Sequence, residues 1–181
     1  MPKIIPEIQE QFLAAARQRI VYSEEHDLTM RQIARDCRTG VGTVYNYFPS
    51  KDALIAGVLS EDWQRIQEEM ELNLFNSGSP MQDLKTVYEG LCLFIRKYHT
   101  IIESYSGIMR NTDLRYRYHS LLIQRITELV SSILHRYSLN VEPYTDYLLS
   151  EILLGMAIHK KEQFALVQPI LCRILGVSKQ A

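Results

Sequence analysis

Apolar residues in this 181-residue chain recur at intervals of three and four, which is the spacing of amphipathic α-helices. No stretch alternates apolar and polar residues as a half-buried strand does, and no Asn-Gly or Asp-Gly pair marks a hairpin. The pattern therefore predicts an all-α fold. The stripes that define the first four predicted helices are Ile8, Phe12, Ala16 and Ile20; Met30, Ile33, Ala34 and Cys37; Val44 and Phe48; and Leu54, Val58, Ile66 and Met70.

Polar residues and prolines mark where several of these helices begin and end. Thr29, followed three residues later by Gln32, forms a capping-box pattern at the start of the second helix. Pro49 ends the short third helix, because proline disfavours helical geometry at the residue before it. Ser50 is placed to cap the fourth helix, and the polar segment 76–80 is a linker that ends it.

The C-terminal part of the chain predicts further helices and a dimer. Its two long stripes comprise Leu84, Val87, Leu91, Ile95, Tyr98 and Ile102, then Leu122, Ile126, Leu129 and Ile133. A short helix or turn is expected near Gly107 and Asn111, and the last two helices at 143–160 and 163–175. Since residues 147–158 are apolar around most of the helix, a second copy of the chain is the simplest cover. Our candidate dimer contacts are Leu148, Ile152, Met156, Val167 and Leu171.

These elements predict two domains in the chain. Residues 1–50 are predicted to form a domain of three helices, a fourth helix at 51–74 connects it onward, and residues 51–181 are predicted to form a second helical domain. Both lengths suit compact domains.

Charge is distributed unevenly although the whole chain carries a formal net charge of only -1. Residues 28–51 contain four cations and one anion, a net charge of +3, whereas residues 61–71 contain one cation and five anions, a net charge of -4. A local basic patch of this kind is suited to a phosphate backbone.

Several classes of site and location are disfavoured by composition. The three cysteines are far apart and form no C-x-x-C pair, so neither a disulfide framework nor a zinc site is expected. The histidines lack the spacing of metal ligands, and no metal or other cofactor is expected. No segment approaches the roughly 18 uncharged residues of a membrane span, and no signal peptide is recognised. We therefore expect a cytoplasmic protein.

The second and third predicted helices are joined by the short break at residues 38–40, which is the arrangement of a helix-turn-helix. The segment from Gly42 to Lys51 combines small, hydrogen-bonding, tyrosine and lysine residues. Glycine permits close approach, tyrosine hydroxyls donate to phosphates and lysine adds positive charge. Such a surface suits the major groove of double-stranded DNA.

In this segment the sequence resembles the tetracycline-repressor (TetR) family of bacterial regulators. The similarity is dense over residues 29–55 and rests on Thr29, Ile33, Ala34, Gly42, Thr43, Tyr45, Tyr47, Phe48, Pro49, Ser50, Lys51, Ala53 and Leu54. The remainder of the chain is similar only in length and helical character. The resemblance implies a helix-turn-helix DNA-binding domain at residues 1–50 and a ligand-binding and dimerisation domain at residues 51–181. It also implies a dimer of about nine helices per subunit, palindromic operators and a ligand pocket in the C-terminal domain.

The resemblance also assigns roles to individual residues of the helix-turn-helix. It implies phosphate contacts from Thr29, Tyr45, Tyr47 and Lys51, and base-edge contacts from Arg31, Val41, Thr43 and Asn46. The chemistry is consistent with these roles, since arginine can pair with guanine, asparagine with adenine, and valine can contact only a thymine methyl.

Two residues of the predicted turn depart from the family pattern. Arg38 lies where glycine is usual, and Gly40 lies where a capping serine is common. We expect backbone strain at Arg38 if the left-handed geometry of the family is kept. Gly40 is a slightly weaker cap than serine.

Function in the C-terminal domain is less constrained by sequence. Its tyrosines suit a pocket for an amphipathic ligand, and they equally suit ordinary helix packing. Weak pocket candidates by position are Tyr88, Leu91, Tyr98, Tyr105 and Leu122.

We expect a dimeric repressor that a small-molecule effector releases from DNA. An activator, or a regulator controlled by a partner protein, is the alternative. A helical-bundle enzyme or a pure interaction module is more remote, because no convergent acids, histidines or nucleophile are recognisable.

Overall fold

A computed structural model describes residues 6–22, 28–74, 76, 78–108, 112–159 and 164–177. Within these ranges the chain is helical and contains no strand, which confirms the all-α prediction. Eight helices are described, compared with the nine or so that the family resemblance implied. They are α1 (Pro6–Tyr22), α2 (Met30–Asp36), α3 (Val41–Tyr47), α4 (Lys51–Asn73), α5 (Pro80–Ile108), α6 (Thr112–Arg136), α7 (Thr145–Ile158) and α8 (Phe164–Leu175).

The chain divides into two compact units, residues 1–65 and residues 66–181. The division falls inside α4, the helix that the sequence assigned as the connection. The first unit contains α1, α2, α3 and most of α4, and the second contains the end of α4 together with α5 to α8.

The predicted helix caps are present in the first unit. The Gln32 amide donates to the Thr29 hydroxyl oxygen at 3.2 Å, and the Thr29 amide donates to the Gln32 side chain at 2.8 Å, so the capping box is complete. The Ala53 amide donates to Ser50 Oγ at 3.0 Å at the start of α4. Local side-chain hydrogen bonds therefore fix where α2 and α4 begin.

The C-terminal end of α2 is a Schellman motif with an arginine at its left-handed position. The Thr39 amide donates to the Ala34 carbonyl at 2.8 Å, the Arg38 amide donates to the Arg35 carbonyl at 3.1 Å, and Arg38 has φ of 52°. The strain expected at this residue is thus observed. A side chain in this conformation costs roughly 1 kcal/mol or more, because its Cβ crowds the following carbonyl oxygen.

The core of the first unit brings α1 close to α4. Phe12, Val44 and Leu54 are completely buried. Gly57 allows the approach, because a Cβ there would lie 2.8 Å from a methyl carbon of Leu13. The seven-residue helix α3 is held by this shared apolar centre rather than by its own length.

An ion-pair network joins the same two helices. Arg17 Nε donates to Asp62 Oδ1 at 2.6 Å, Arg17 Nη2 bonds to Glu61, and the side chain of Asp62 is only 2% exposed. Burial by itself lowers the pKa of Arg17, but its hydrogen bonds and proximity to the two carboxylates raise that pKa above its ordinary value. The guanidinium therefore stays charged beside a buried carboxylate.

In the second unit, α7 packs against α5 and α6, while α8 packs against α5. The Tyr137 hydroxyl donates to the buried carboxylate of Asp83 at 2.8 Å. The turn or short helix expected near Gly107 is not seen there, since α5 continues to Ile108; Asn111 lies outside the described residues. A single glycine is a weak helix breaker, and residues 109–111 between α5 and α6 lie outside the described residues.

Removing one partner of the buried pair should destabilise the first unit. We expect Asp62→Ala to lower the free energy of unfolding by about 3–5 kcal/mol, because Arg17 loses its buried counter-charge. Chemical denaturation monitored by circular dichroism measures the change. The double variant Arg17→Met, Asp62→Leu is the control and should recover most of the loss. A loss below about 1 kcal/mol for the single variant would contradict a stabilising role of the network.

Candidate nucleic-acid interface

Helix α3 is anchored by two apolar side chains and exposes most of the others. Val44 and Phe48, four residues apart, are buried, whereas Val41 is 38% and Tyr45 50% exposed. The helix ends at Tyr47, and the backbone of the following residue, Phe48, is extended before Pro49. Seven residues are too few for a stable isolated helix, so these anchors determine how α3 is presented.

The structure brings most of the predicted DNA-contact residues together on and beside this helix. Gly42 and Asn46 are exposed, and Thr43 and Lys51 are half-buried. No atom lies within 4 Å of the position that a Cβ of Gly42 would occupy, so the space over this residue is open. The side chain of Asn46 makes no hydrogen bond to another described residue. A flat, polar surface able to approach base edges results.

The two tyrosines of α3 have different environments. The Tyr47 ring lies edge-on to Phe12 of α1, with ring centroids 5.7 Å apart and an interplanar angle of 74°. Tyr45 is exposed, and its hydroxyl has no partner among the described residues. Tyr47 therefore also positions α3, whereas Tyr45 is freer to bind an external acceptor.

Thr29 is engaged in its own helix cap. Its hydroxyl donates to Gln32 Oε1 at 2.8 Å while accepting from the Gln32 amide. A hydroxyl has one proton and a phosphate oxygen only accepts, so a phosphate contact from this hydroxyl would require the bond to Gln32 to break. The hydrogen bonds of the Thr29 hydroxyl are accounted for by its role as the cap of α2.

Four cations near α3 have no ion-pair partner among the described residues: Arg31, Arg35, Arg38 and Lys51. The sequence reasoning selected Arg31 and Lys51 but omitted Arg35, although the spacing of four residues from Arg31 was a usable signal. The region thus presents uncompensated positive charge.

The acidic residue of this region is neutralised by α1. Asp36 accepts from Arg19 Nε at 2.5 Å and from Arg19 Nη2 at 2.9 Å. The hydrogen bond from Arg19 lowers the pKa of Asp36 below its ordinary value. A fork-like pair of this kind leaves little negative field beside the exposed arginines.

The pocket candidates of the C-terminal unit lie largely in its core. Tyr88, Leu91 and Tyr98 are buried, and Leu122 is half-buried. The Tyr88 ring packs against Phe164 with centroids 5.7 Å apart. The side chain of Tyr105 lies outside the described residues. Helix packing, the alternative reading of these tyrosines, accounts for the contacts seen.

The dimer candidates separate into exposed and buried groups. Leu148 and Ile152 are exposed on α7, whereas Met156 and Leu171 are buried in the core of their own chain, and Val167 is half-buried. Helix α8 exposes three other large apolar residues, Leu166, Ile170 and Ile174, at 68%, 58% and 44%. The sequence pattern could not rank these positions, because apolar residues occupy both the buried and the exposed sides of α8.

A charged residue beside the exposed face of α7 has partners within the chain. Glu151 accepts a hydrogen bond from the Tyr147 hydroxyl at 2.8 Å and lies 3.7 Å from His119 Nε2. The hydrogen bond from Tyr147 to the carboxylate raises the pKa of that tyrosine. Because Glu151 already has these partners, a partner that covers this face of α7 would not leave its carboxylate without a hydrogen bond.

Membrane spans and metal-binding clusters are absent from the part of the chain that the structure describes. None of its helices is long and apolar enough to cross a membrane. The same residues contain no group of three or more histidine, cysteine or acidic side chains that could hold a metal ion.

Known proteins match the N-terminal part of the chain in sequence. Residues 12–58 match the family model of bacterial regulatory proteins, tetR family. The HTH-type transcriptional repressor KstR of Mycolicibacterium smegmatis is 36% identical over 55 residues, which are 30% of this chain and 27% of that protein. The match therefore spans about a quarter of this curated relative.

Solved structures match nearly the whole chain in fold. FadR from Bacillus subtilis, in complex with stearoyl-CoA, has a TM-score of 0.62 at 17% identity and covers 95% of this chain and 99% of its own. GusR from Salmonella enterica has a TM-score of 0.64 at 18% identity, with 97% and 98% covered. A TetR-family regulator from Rhodococcus sp. has a TM-score of 0.65 at 12% identity, with 94% and 100% covered. The chain is thus similar to the tetR family of bacterial regulatory proteins over residues 12–58, which include its helix-turn-helix, and it shares its fold with these solved structures.

Proposed function

We propose that this protein is a transcription regulator that binds double-stranded DNA as a homodimer at a palindromic operator in the cytoplasm. The observation that carries the proposal is the exposed polar face of α3 beside unpaired cations. An α-helix fits the major groove, which is about 12 Å wide, and unpaired cations release counterions from DNA when they contact phosphates.

The contacts divide by chemistry. Tyr45, Tyr47 and Lys51 donate to phosphates, which fixes the position of α3 but carries no sequence information. Arg31, Val41, Thr43 and Asn46 read base edges, and Gly42 permits close approach. Thr29 has a smaller part in this proposal, because its hydroxyl proton is already donated to Gln32.

The dimer is proposed to form through the exposed apolar faces of α7 and α8. Leu148, Ile152 and Gly155 follow at intervals of four and three residues, and a Cβ at Gly155 would meet no atom of this chain within 4 Å. The glycine therefore leaves room for another helix to approach closely. Together with the exposed residues of α8, these positions form the apolar surface that a second copy would cover.

The regulatory response is proposed to be release from DNA by a small-molecule effector, which makes the protein a repressor. FadR, which has this fold, was solved with stearoyl-CoA, and KstR is a repressor by name. An activator, or control by a partner protein, would use the same DNA surface and differ in what the second unit binds.

Base readers and phosphate contacts should respond differently to mutation. Selection of a random duplex library at about 0.15 M salt supplies the preferred site. We expect Asn46→Ala to lose about 1–3 kcal/mol of discrimination at one operator position, and Lys51→Ala to weaken binding to all sequences alike. Binding measured by fluorescence anisotropy on single-base variants of the site separates the two. Equal, sequence-independent losses from both variants would contradict the role of Asn46, and no enrichment by the wild type would contradict DNA reading itself.

Adding a charge to the exposed face of α8 should separate the subunits. We expect wild-type protein to sediment at twice the chain mass of 21.1 kDa and Ile170→Glu to sediment at the chain mass. The buried core should stay intact because Ile170 is mostly exposed. Leu93→Glu, at a residue 48% exposed on α5, is the matched control and should remain dimeric. A monomeric wild type, or a dimeric Ile170→Glu, would exclude this interface.

Effector binding should lower operator affinity. An effector can shift the equilibrium only by its difference in affinity between the DNA-bound and free forms, so DNA binding and effector binding must weaken each other reciprocally. We expect at least one compound in a chemically broad library to abolish the operator footprint. Stearoyl-CoA is the first probe, with free CoA as its control. An unchanged footprint across the library would favour a partner protein as the regulator.

A further inference from the structure

Arg38 combines a strained backbone with an unused side chain. It occupies the left-handed position of the Schellman motif, with φ of 52°, where glycine would fit without strain. Its side chain is exposed and has no ion-pair or hydrogen-bond partner among the described residues. Beyond the backbone hydrogen bonds of the Schellman motif, no side-chain contact among the described residues therefore compensates for the strain.

Two intramolecular explanations are already satisfied by neighbouring arginines. The nearby carboxylate of Asp36 is occupied by both nitrogens of the Arg19 fork. A cation near the last turn of α2, which the helix dipole favours, is supplied by Arg35 from an unstrained helical position. Arg38 adds little to either role.

Its place in the chain suggests an external anion. Arg38 lies three residues before Val41, where α3 begins, and is in the same region as the other unpaired cations. When a helix enters the major groove, the residues that precede it lie near the phosphates that border the groove. Arginine is well suited to phosphate because its planar fork can donate two parallel hydrogen bonds.

We propose that Arg38 binds a DNA phosphate beside α3, and that this contact offsets the strain at the end of α2 when DNA is bound. The inference rests on the proposed DNA-binding function. It adds a phosphate contact at Arg38, a residue that the sequence analysis singled out only for its backbone strain. Strained residues kept at binding sites are a recognised pattern.

The test measures stability and DNA binding on the same variants. Arg38→Gly should raise the melting temperature by about 2–4 °C by relieving the strain. It should weaken binding by roughly five- to tenfold at about 0.15 M salt and lower the slope of log affinity against log salt by about 0.9, which corresponds to one lost phosphate contact. Arg38→Lys keeps the charge and should retain the slope without gaining stability. The probes are a mixed-sequence duplex and the selected operator, and the loss should be equal on both.

Lys51→Ala and the remote Arg125→Gln, which removes a charge from α6, are measured in parallel. If wild type binds DNA and Lys51→Ala weakens it while Arg38→Gly leaves affinity and salt slope unchanged, the role of Arg38 is overturned and the proposed function stands. A loss confined to one operator sequence would also overturn a phosphate contact. If wild type binds neither duplex, both proposals fail. An equal loss from Arg125→Gln would show a general charge effect and overturn the specific contact.

Discussion

A carboxylate as deeply buried as that of Asp62 requires a cation, and this requirement ties α1 to α4. Helix α1 in turn places Phe12 against the ring of Tyr47, and so supports α3 from behind. A helix of only two turns has little stability of its own. The exposed surface of α3 therefore depends on contacts that begin at the ion pair between Arg17 and Asp62, which lies far from α3 in the sequence.

The arginines of α1 also determine the local electrostatic field. Arg19 neutralises Asp36, the one acidic residue between positions 28 and 51, while Arg17 neutralises carboxylates of α4. The cations near α3 are thereby left uncompensated although the chain as a whole is close to neutral. The net charge of the chain does not indicate a nucleic-acid partner. The arrangement of its ion pairs does, because it leaves a local positive field beside α3.

Sequence reasoning anticipated the parts of the fold that depend on local patterns. Helical periodicity, the Thr29 capping box and the left-handed backbone at Arg38 all follow from residues close together in the chain, and the structure confirms them. No turn begins at Gly107, where one was predicted, because a single glycine costs a helix only about 1 kcal/mol and α5 continues to Ile108.

The candidate sites were less predictable because they depend on which side of a helix faces its own core. Leu171 and Ile170 are adjacent and equally apolar, yet only Leu171 is buried. For Thr29, residue type indicated a donor for phosphate, whereas the geometry shows that its proton is already used. Periodicity cannot supply either fact, since both arise from tertiary contacts and hydrogen-bond geometry.

The open space over Gly42 has a consequence for altering this protein. Folding imposes no steric limit at this position, and most side chains would form a helix more readily than glycine does. Bulk added at residue 42 would thus change only what can lie against α3. In the proposed complex, position 42 is where the choice of DNA sequence can be redesigned without repairing the fold afterwards.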